Sequence, residues 1–186
     1  ERVGVILRNR PNQLGLVIGL LARGACIVAV NPGRGDTRVR DDLASLGIRV
    51  LGEPADLARF GCVDGWSDRP LDYAAGVAVE MLTSGTTGPP KRVPLSYETL
   101  LRVLVGAKHY ERDQATDVRL RSGVVIVNAP LVHVGGLFRI LQCVFDGRSF
   151  CLLEKFAVGA WVDAVRRHRP KTVSLVPAAL RMVLAA

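Results

Sequence analysis

Short apolar runs alternate with amphipathic segments along most of the chain. The apolar runs predict buried strands at residues 3–7 and 123–128 and further strands at residues 26–30, 48–51, 77–82, 92–95, 149–153 and 172–176. The segments between them, with apolar positions three or four residues apart, predict helices at residues 12–23, 37–46, 97–110, 135–145 and 158–168, and a last helix from Pro177. This alternation predicts an α/β fold whose mainly parallel sheet is covered by helices.

Local signals support several of these boundaries. Pro11 and Gly24 frame the first helix, and Ser96 is a suitable N-cap for the helix at 97–110. We interpret Asp41 and Asp42 as a solvated face of the second helix. Residues 52–75 are richer in Gly, Pro and Asp, which predicts a loop with one short helix and a candidate sub-boundary.

Composition is globular, with 49% hydrophobic residues among 186. An uninterrupted apolar stretch of ~18 residues is missing, so we predict no transmembrane segment. The chain begins at Glu1 without a leader pattern and ends inside a predicted helix. We therefore expect a piece of a longer protein, located in the cytoplasm, or at a membrane surface if its substrate is a long-chain acid.

Charge and cysteines narrow the function classes. The net charge is +8, but the arginines are scattered and aromatic residues make up 5%, so we predict no nucleic-acid binding. A basic surface also suits polyphosphate ligands. The four cysteines, Cys26, Cys62, Cys143 and Cys151, form no C-x-x-C pair. We interpret them as reduced structural thiols and assign no metal ligand.

A loop rich in hydroxyls and glycine follows the strand at 77–82. Its sequence, T-S-G-T-T-G-P-P-K, runs from Thr83 to Lys91. Glycines let backbone N–H groups converge on an anion, hydroxyls add donors, and lysine adds a charge. A Walker A loop is excluded, because Pro90 precedes the lysine and a strand follows it. This also excludes a P-loop phosphotransferase as the function of the chain. The alternative is a polar turn in a hairpin.

These nine residues resemble the phosphate loop of the adenylate-forming superfamily, which includes acyl-CoA synthetases, nonribosomal-peptide adenylation domains and luciferases. Residues 3–9, 24–32, 128–137 and 173–177 are similar to further family segments in the family's order. Val132 replaces a usual aromatic residue, Ser96–Tyr97 replaces a usual Thr/Ser–His pair, and residues 112–121 are less familiar.

The resemblance implies ATP-dependent activation of a carboxylic acid, fatty or aryl, to an acyl-adenylate, followed by transfer to CoA or a carrier-protein thiol. ATP, Mg²⁺ and CoA are the implied cofactors and co-substrates, and we leave a homodimer open. The residues implied to bind the ATP phosphates are Thr83, Ser84, Gly85, Thr86, Thr87, Gly88 and Lys91. His133 and Gly135 are implied to line the substrate pocket.

Some expectations concern what the chain lacks. The family's Y-G-x-T-E segment, its ribose-binding Asp and the C-terminal domain with its catalytic Lys do not occur in the sequence. We therefore predict that residues 1–186 form part of the large N-terminal domain, that the piece alone is inactive, and that it holds no assignable catalytic residue. Alternatives are a nonribosomal-type adenylation domain and a truncated, non-catalytic homologue acting as a binding module.

The roles of His133, Gly135 and Gly136 each have an alternative interpretation. His133 could instead be a packed histidine that caps the loop after a strand, and Gly135 and Gly136 could either allow a close helix approach or merely mark a helix start. His109 and His168 are interpreted as surface residues at helix ends.

Overall fold

The computed structural model describes residues 1–52, 61–62, 71–83, 90–108 and 119–186. Within these ranges eight strands and six α-helices alternate, so the predicted α/β class is confirmed. The strands are β1 (Arg2–Ile6), β2 (Cys26–Val30), β3 (Val50–Gly52), β4 (Gly61–Cys62), β5 (Val77–Leu82), β6 (Arg92–Ser96), β7 (Arg121–Val127) and β8 (Arg148–Leu152). The helices are α1 (Pro11–Ala22), α2 (Asp36–Leu46), α3 (Tyr97–Lys108), α4 (Val134–Phe145), α5 (Val158–His168) and α6 (Pro177–Leu184).

The first of two compact units, Glu1–Arg102, is built on a six-stranded sheet. Its order is β4-β3-β1-β2-β5-β6, with β3, β1, β2 and β5 parallel and β4 and β6 antiparallel at the edges. Every residue of β2 is buried, as expected for a central strand that reads as a continuous apolar run. The sheet is mainly parallel, as predicted, and its two edge strands are antiparallel to their neighbours.

Helix boundaries in this unit follow the predicted signals. Pro11 is the first residue of α1, where its missing N–H costs no hydrogen bond. Gly47, which was not among the predicted signals, ends α2 with a φ of 60°, a left-handed conformation that glycine adopts without a Cβ penalty. The Ser96 hydroxyl accepts a hydrogen bond from the Thr99 N–H at 3.0 Å, which confirms Ser96 as the N-cap of α3.

The second unit, Val103–Ala186, contains the parallel pair β7–β8 with α4, α5 and α6. Its core includes Ile126, Trp161 and Ala164, which join β7 to α5. The predicted bounds of α5 and the start of α6 at Pro177 are confirmed. The division between the two units falls within α3, between Arg102 and Val103.

Two strand predictions in the second unit need correction. The predicted strand at 172–176 is wrong, because these residues carry no strand pairing in the part of the chain that the structure describes. A strand forms only where a neighbour supplies hydrogen bonds, and an apolar run alone does not supply one. The predicted buried strand at 123–128 is buried only in part: Ile126 and Val127 are buried, whereas Ser122 and Gly123 are exposed.

The predicted sub-boundary at 52–75 lies inside the first unit, because β1–β3 before it and β5–β6 after it share one sheet. Residues 53–60 and 63–70, where we expected a short helix, are outside the described residues. None of the helices in the described ranges is both long and apolar enough to cross a membrane.

Candidate functional site

The predicted phosphate loop joins the two strands of the β5–β6 hairpin. Thr83 and Lys91 face each other at its base, where the Thr83 N–H donates to the Lys91 carbonyl at 2.8 Å. The Thr83 hydroxyl donates to the same carbonyl at 3.0 Å and accepts from the Lys91 N–H at 3.3 Å. Both residues are exposed. The segment therefore leaves and re-enters the sheet at two residues that are hydrogen-bonded to each other.

Five of the predicted phosphate-binding residues, Ser84, Gly85, Thr86, Thr87 and Gly88, lie outside the described residues. The two that are described, Thr83 and Lys91, are brought together. Because a hydroxyl has a single proton, the Thr83 hydroxyl cannot donate to a phosphate while it donates to the Lys91 carbonyl. In this arrangement Thr83 closes the base of the loop.

Asp42 is not on a solvated helix face, which corrects the interpretation made from the sequence. The Arg92 Nη2 atom contacts both carboxylate oxygens of Asp42, at 2.8 and 2.7 Å, and Arg92 Nη1 donates to the Ala29 carbonyl at 3.0 Å. The two side chains are 16% and 10% exposed. Asp41 is exposed, as predicted. One weak signal for this pair was present in the sequence, because Arg92 is the charged first residue of the predicted strand at 92–95 and its other residues are apolar.

A second arginine cluster lies in the same sheet. Arg2 binds the Glu80 carboxylate of β5 through two nitrogens, at 2.9 and 2.7 Å, and also pairs with Asp72. The hydrogen bond from Arg2 lowers the pKa of Asp72. Burial, with the nearby Glu80 charge, raises the pKa of the Cys26 thiol to about 11. Cys26 is therefore a protonated core thiol at neutral pH.

Three of the four cysteines are shown to be free thiols. Cys26 and Cys143 are buried and Cys151 is partly buried. Burial also raises the pKa of Cys143. These observations support the interpretation of these residues as small core hydrophobes.

Tyr97 follows Ser96, at the position where the related family usually has His, and it anchors the start of α3. Its hydroxyl lies 2.7 Å from the Ala25 carbonyl and 3.1 Å from the Leu21 carbonyl. Burial raises the pKa of Tyr97, so it is a neutral donor at physiological pH. This tyrosine ties the end of the hairpin to the turn between α1 and β2.

The second predicted site segment, around His133, follows the carboxyl end of β7 in the other unit. His133 is the backbone N-cap of α4, and its carbonyl accepts from the N–H groups of Gly136 and Leu137 at 3.0 and 3.1 Å. Its imidazole makes no capping hydrogen bond and is exposed. The alternative of a packed, capping histidine is therefore wrong for the side chain. His168 is partly buried, and His109 is outside the described residues.

The two glycines after His133 differ sharply. A Cβ added at Gly136 would lie 2.1 Å from the Pro130 carbonyl oxygen, whereas one added at Gly135 would meet nothing within 4 Å. Gly136 thus provides the close helix approach, and the predicted pocket residue Gly135 is an exposed position in the first turn of α4. The sequence could not distinguish them, because the clash depends on where the preceding turn passes.

Two further features bear on ligands. Within the described ranges, no three His, Cys, Asp or Glu side chains are grouped so that they could hold a metal ion. An open cleft of about 780 Å³ in the second unit is lined by basic side chains: Arg119, Arg121 and Arg148 lie near the amino-terminal ends of β7 and β8, and Arg169 and Lys171 follow α5. His133 follows the opposite, carboxyl end of β7, and neither His133 nor Gly135 lines this cleft.

A family comparison identifies the class of protein. Residues 63–186, more than half of the chain, match the model of the AMP-binding enzyme family. The chain therefore belongs to the AMP-binding enzymes, which confirms the resemblance noted from the sequence.

Curated relatives narrow the likeness to CoA ligases. The chain is 29% identical to a feruloyl-CoA synthase of an Amycolatopsis species over all of its length and 40% of that protein's. It is 26% identical to the 2-succinylbenzoate–CoA ligase of Bacillus velezensis, again over its whole length and 40% of the relative. It is 25% identical to the 4-coumarate–CoA ligase 3 of rice, over 92% of this chain and 36% of that one. The chain thus spans less than half the length of these relatives.

Solved structures share the fold. The O-succinylbenzoate CoA synthetase of Bacillus subtilis, in complex with ATP and magnesium, superposes with a TM-score of 0.74 at 20% identity, covering all of this chain and 41% of the other. The N-terminal domain of FACL13 from Mycobacterium tuberculosis gives 0.74 at 21% identity, over all of this chain and 52% of that one. At these identities the likeness establishes the fold of the N-terminal domain of adenylate-forming enzymes.

Proposed function

We propose that this chain is the ATP-phosphate-binding part of an acid–thiol ligase. The whole protein would activate a carboxylic acid to an acyl-adenylate with release of pyrophosphate and then transfer the acyl group to CoA. One observation carries the proposal: the T-S-G-T-T-G-P-P-K segment closes the β5–β6 hairpin of an AMP-binding fold, with Thr83 and Lys91 hydrogen-bonded at its base.

The residue types of the loop suit a triphosphate. Hydroxyls of Ser84, Thr86 and Thr87 would donate to phosphate oxygens, and Gly85 and Gly88 would let backbone N–H groups approach them. Lys91, whose side chain is exposed, would neutralise part of the charge. Attack of a carboxylate on the α-phosphorus moves negative charge onto the pyrophosphate, so donors fixed around it lower the barrier.

An aryl acid is the substrate class that we favour over a fatty acid. The relatives named above are ligases of ferulate, 4-coumarate and 2-succinylbenzoate, all of which carry an aromatic ring. His133 would contact the acid or the thioester from the start of α4, since its imidazole is exposed there. Gly135, next to it, would leave room for the substrate.

The remaining parts of the reaction need residues beyond the described ones. The described part of the chain holds no group of acidic side chains that could bind Mg²⁺. The thiol acceptor is CoA in this proposal, with a carrier-protein thiol as the alternative. We also propose that the piece alone forms no adenylate.

Carboxylate-dependent ATP–pyrophosphate exchange by the full-length protein tests the function. A panel with 4-coumarate, ferulate, 2-succinylbenzoate and fatty acids of different lengths should give exchange with an aryl acid. Thr86→Ala and Thr87→Ala should each lower kcat/KM for ATP by about tenfold to a hundredfold, because each removes a donor to developing charge.

Thr37→Ala is the matched control, because Thr37 is an exposed threonine of α2 in the same unit. It should leave exchange unchanged. Unchanged exchange in both loop variants would contradict the phosphate-loop assignment, and exchange by the isolated 186-residue piece would contradict its predicted inactivity.

A further inference from the structure

We propose that the Asp42–Arg92 ion pair is a positioning device for Lys91 and the closing end of the phosphate loop. The proposal rests on the proposed function, because it concerns how the same loop is held. Arg92 and Asp42 touch no nucleotide in this proposal and act through the residue that precedes Arg92.

The geometry of the pair is restrictive. Arg92 contacts both oxygens of the Asp42 carboxylate and, through its other terminal nitrogen, the Ala29 carbonyl. A planar guanidinium held at three acceptor atoms keeps one orientation, which an ammonium group would not. With both side chains largely buried, water competes weakly for these contacts. Arg92 is thereby fixed in position and direction.

The pair joins parts of the chain that are distant in sequence. Asp42 lies in α2, 50 residues before Arg92, and Ala29 lies near the carboxyl end of β2, 63 residues before it. At the edge of the sheet, β6 is paired with β5 alone among the described strands. The ion pair therefore gives the first residue of this edge strand a second attachment, to the centre of the sheet and to a helix.

Lys91 is held from both sides as a result. Its N–H and its carbonyl are bonded to Thr83, and the next residue is fixed by Asp42 and Ala29. A lysine whose backbone is already placed loses less freedom when a triphosphate binds, which favours affinity. Loss of the pair should therefore raise KM for ATP more than it lowers kcat.

The same sheet offers a matched control. Arg2 also binds a carboxylate through two nitrogens, that of Glu80, and is likewise partly buried, but it belongs to β1 and contacts neither Lys91 nor Arg92 in the described structure. Arg2→Gln and Arg92→Gln should both lower the melting temperature, but Arg2→Gln should leave KM for ATP within about twofold. A purely structural role for Arg92 would make the two variants behave alike.

The experiment uses the full-length protein with Arg92→Gln, Asp42→Asn, the double variant and Arg2→Gln. Kinetics of ATP–pyrophosphate exchange give KM and kcat, hydrogen exchange reports the amides of Lys91 and β6, and thermal unfolding reports stability. We expect about a tenfold higher KM for ATP in each single variant and no further rise in the double variant. The Lys91 amide should exchange faster in Arg92→Gln and Asp42→Asn, and at the wild-type rate in Arg2→Gln.

Several outcomes would overturn the proposal: equal KM values in Arg92→Gln and Arg2→Gln, additive effects in the double variant, or an unchanged Lys91 amide. If the wild type shows no exchange with any acid, the proposed function fails, and hydrogen exchange still decides whether the pair positions Lys91. If Arg92→Gln does not fold, Arg92→Lys keeps the charge without the fork and should give a smaller rise in KM. If a folded Arg92→Lys variant kept the wild-type KM for ATP, this would contradict the inference that the planar guanidinium of Arg92 fixes the position of Lys91.

Discussion

Two candidate site segments follow the carboxyl ends of strands in this chain, and they are held in different ways. The segment after β5 is held by polar groups: the Thr83 hydroxyl, the backbone of Lys91 and the Asp42–Arg92 pair. The segment after β7 is held by backbone hydrogen bonds around His133 and by the contact of Gly136 with the turn at Pro130.

This difference indicates where each segment is vulnerable. The first should respond to loss of hydrogen-bonding side chains, while the fold survives. The second segment should be destabilised by added side-chain volume, because its backbone is closely packed and leaves no room for a further atom. Its imidazole makes no capping hydrogen bond and is exposed.

The largest expected effect is that of Gly136→Ala. The new Cβ would stand 2.1 Å from the Pro130 oxygen, so the start of α4 must shift, and we expect a loss of about 3 kcal/mol in the free energy of unfolding. Gly135→Ala is the matched control, since its Cβ meets nothing within 4 Å, and it should be neutral or stabilise by about 0.5 kcal/mol. Denaturant unfolding measures both. Equal losses of unfolding free energy in the two variants would show that close packing at Gly136 does not hold this segment.

An intermediate effect is expected for Thr83→Val. The valine keeps the shape but removes both side-chain hydrogen bonds to Lys91, which are worth about 1 kcal/mol at an exposed site. We expect about a fivefold higher KM for ATP in pyrophosphate exchange and a loss of no more than about 1 kcal/mol in the free energy of unfolding. Thr83→Ser keeps the hydroxyl and should restore most of the loss. A serine variant as weak as the valine variant would show that the hydroxyl does not close the loop.

The smallest effect is expected for His133→Gln. Because the imidazole makes no capping bond, the variant should unfold like the wild type, within about 0.5 kcal/mol. We expect about a threefold higher KM for the carboxylic acid and an unchanged KM for ATP. His168→Gln, in α5, serves as the control and should change neither KM. A destabilised His133→Gln protein would show that this side chain supports the segment after all.

Elements with a clear apolar run between polar signals could be predicted closely. The bounds of β5 and α5 agree with the sequence prediction, because both segments bury a face within their own unit. The strand at 172–176 could not be predicted correctly, since its apolar residues indicate burial and not the presence of a pairing partner. The motif predicts a phosphate loop between β5 and β6, and that assignment stays a prediction. The pairing of Asp42 with Arg92 could not be predicted, because it is a contact across 50 residues that only the sheet order creates.

The same contact has a consequence for the order of folding. Strands β1, β2 and β3 are connected by α1 and α2 and can assemble from nearby parts of the chain. Pairing of β5 with β2 closes about 50 residues of chain, and closures of this length are slow compared with local ones. We expect Arg92 to meet Asp42 and Ala29 only after this pairing has formed. We therefore expect the end of the hairpin that we propose to bind nucleotide to form late, on a scaffold that the earlier strands have already formed.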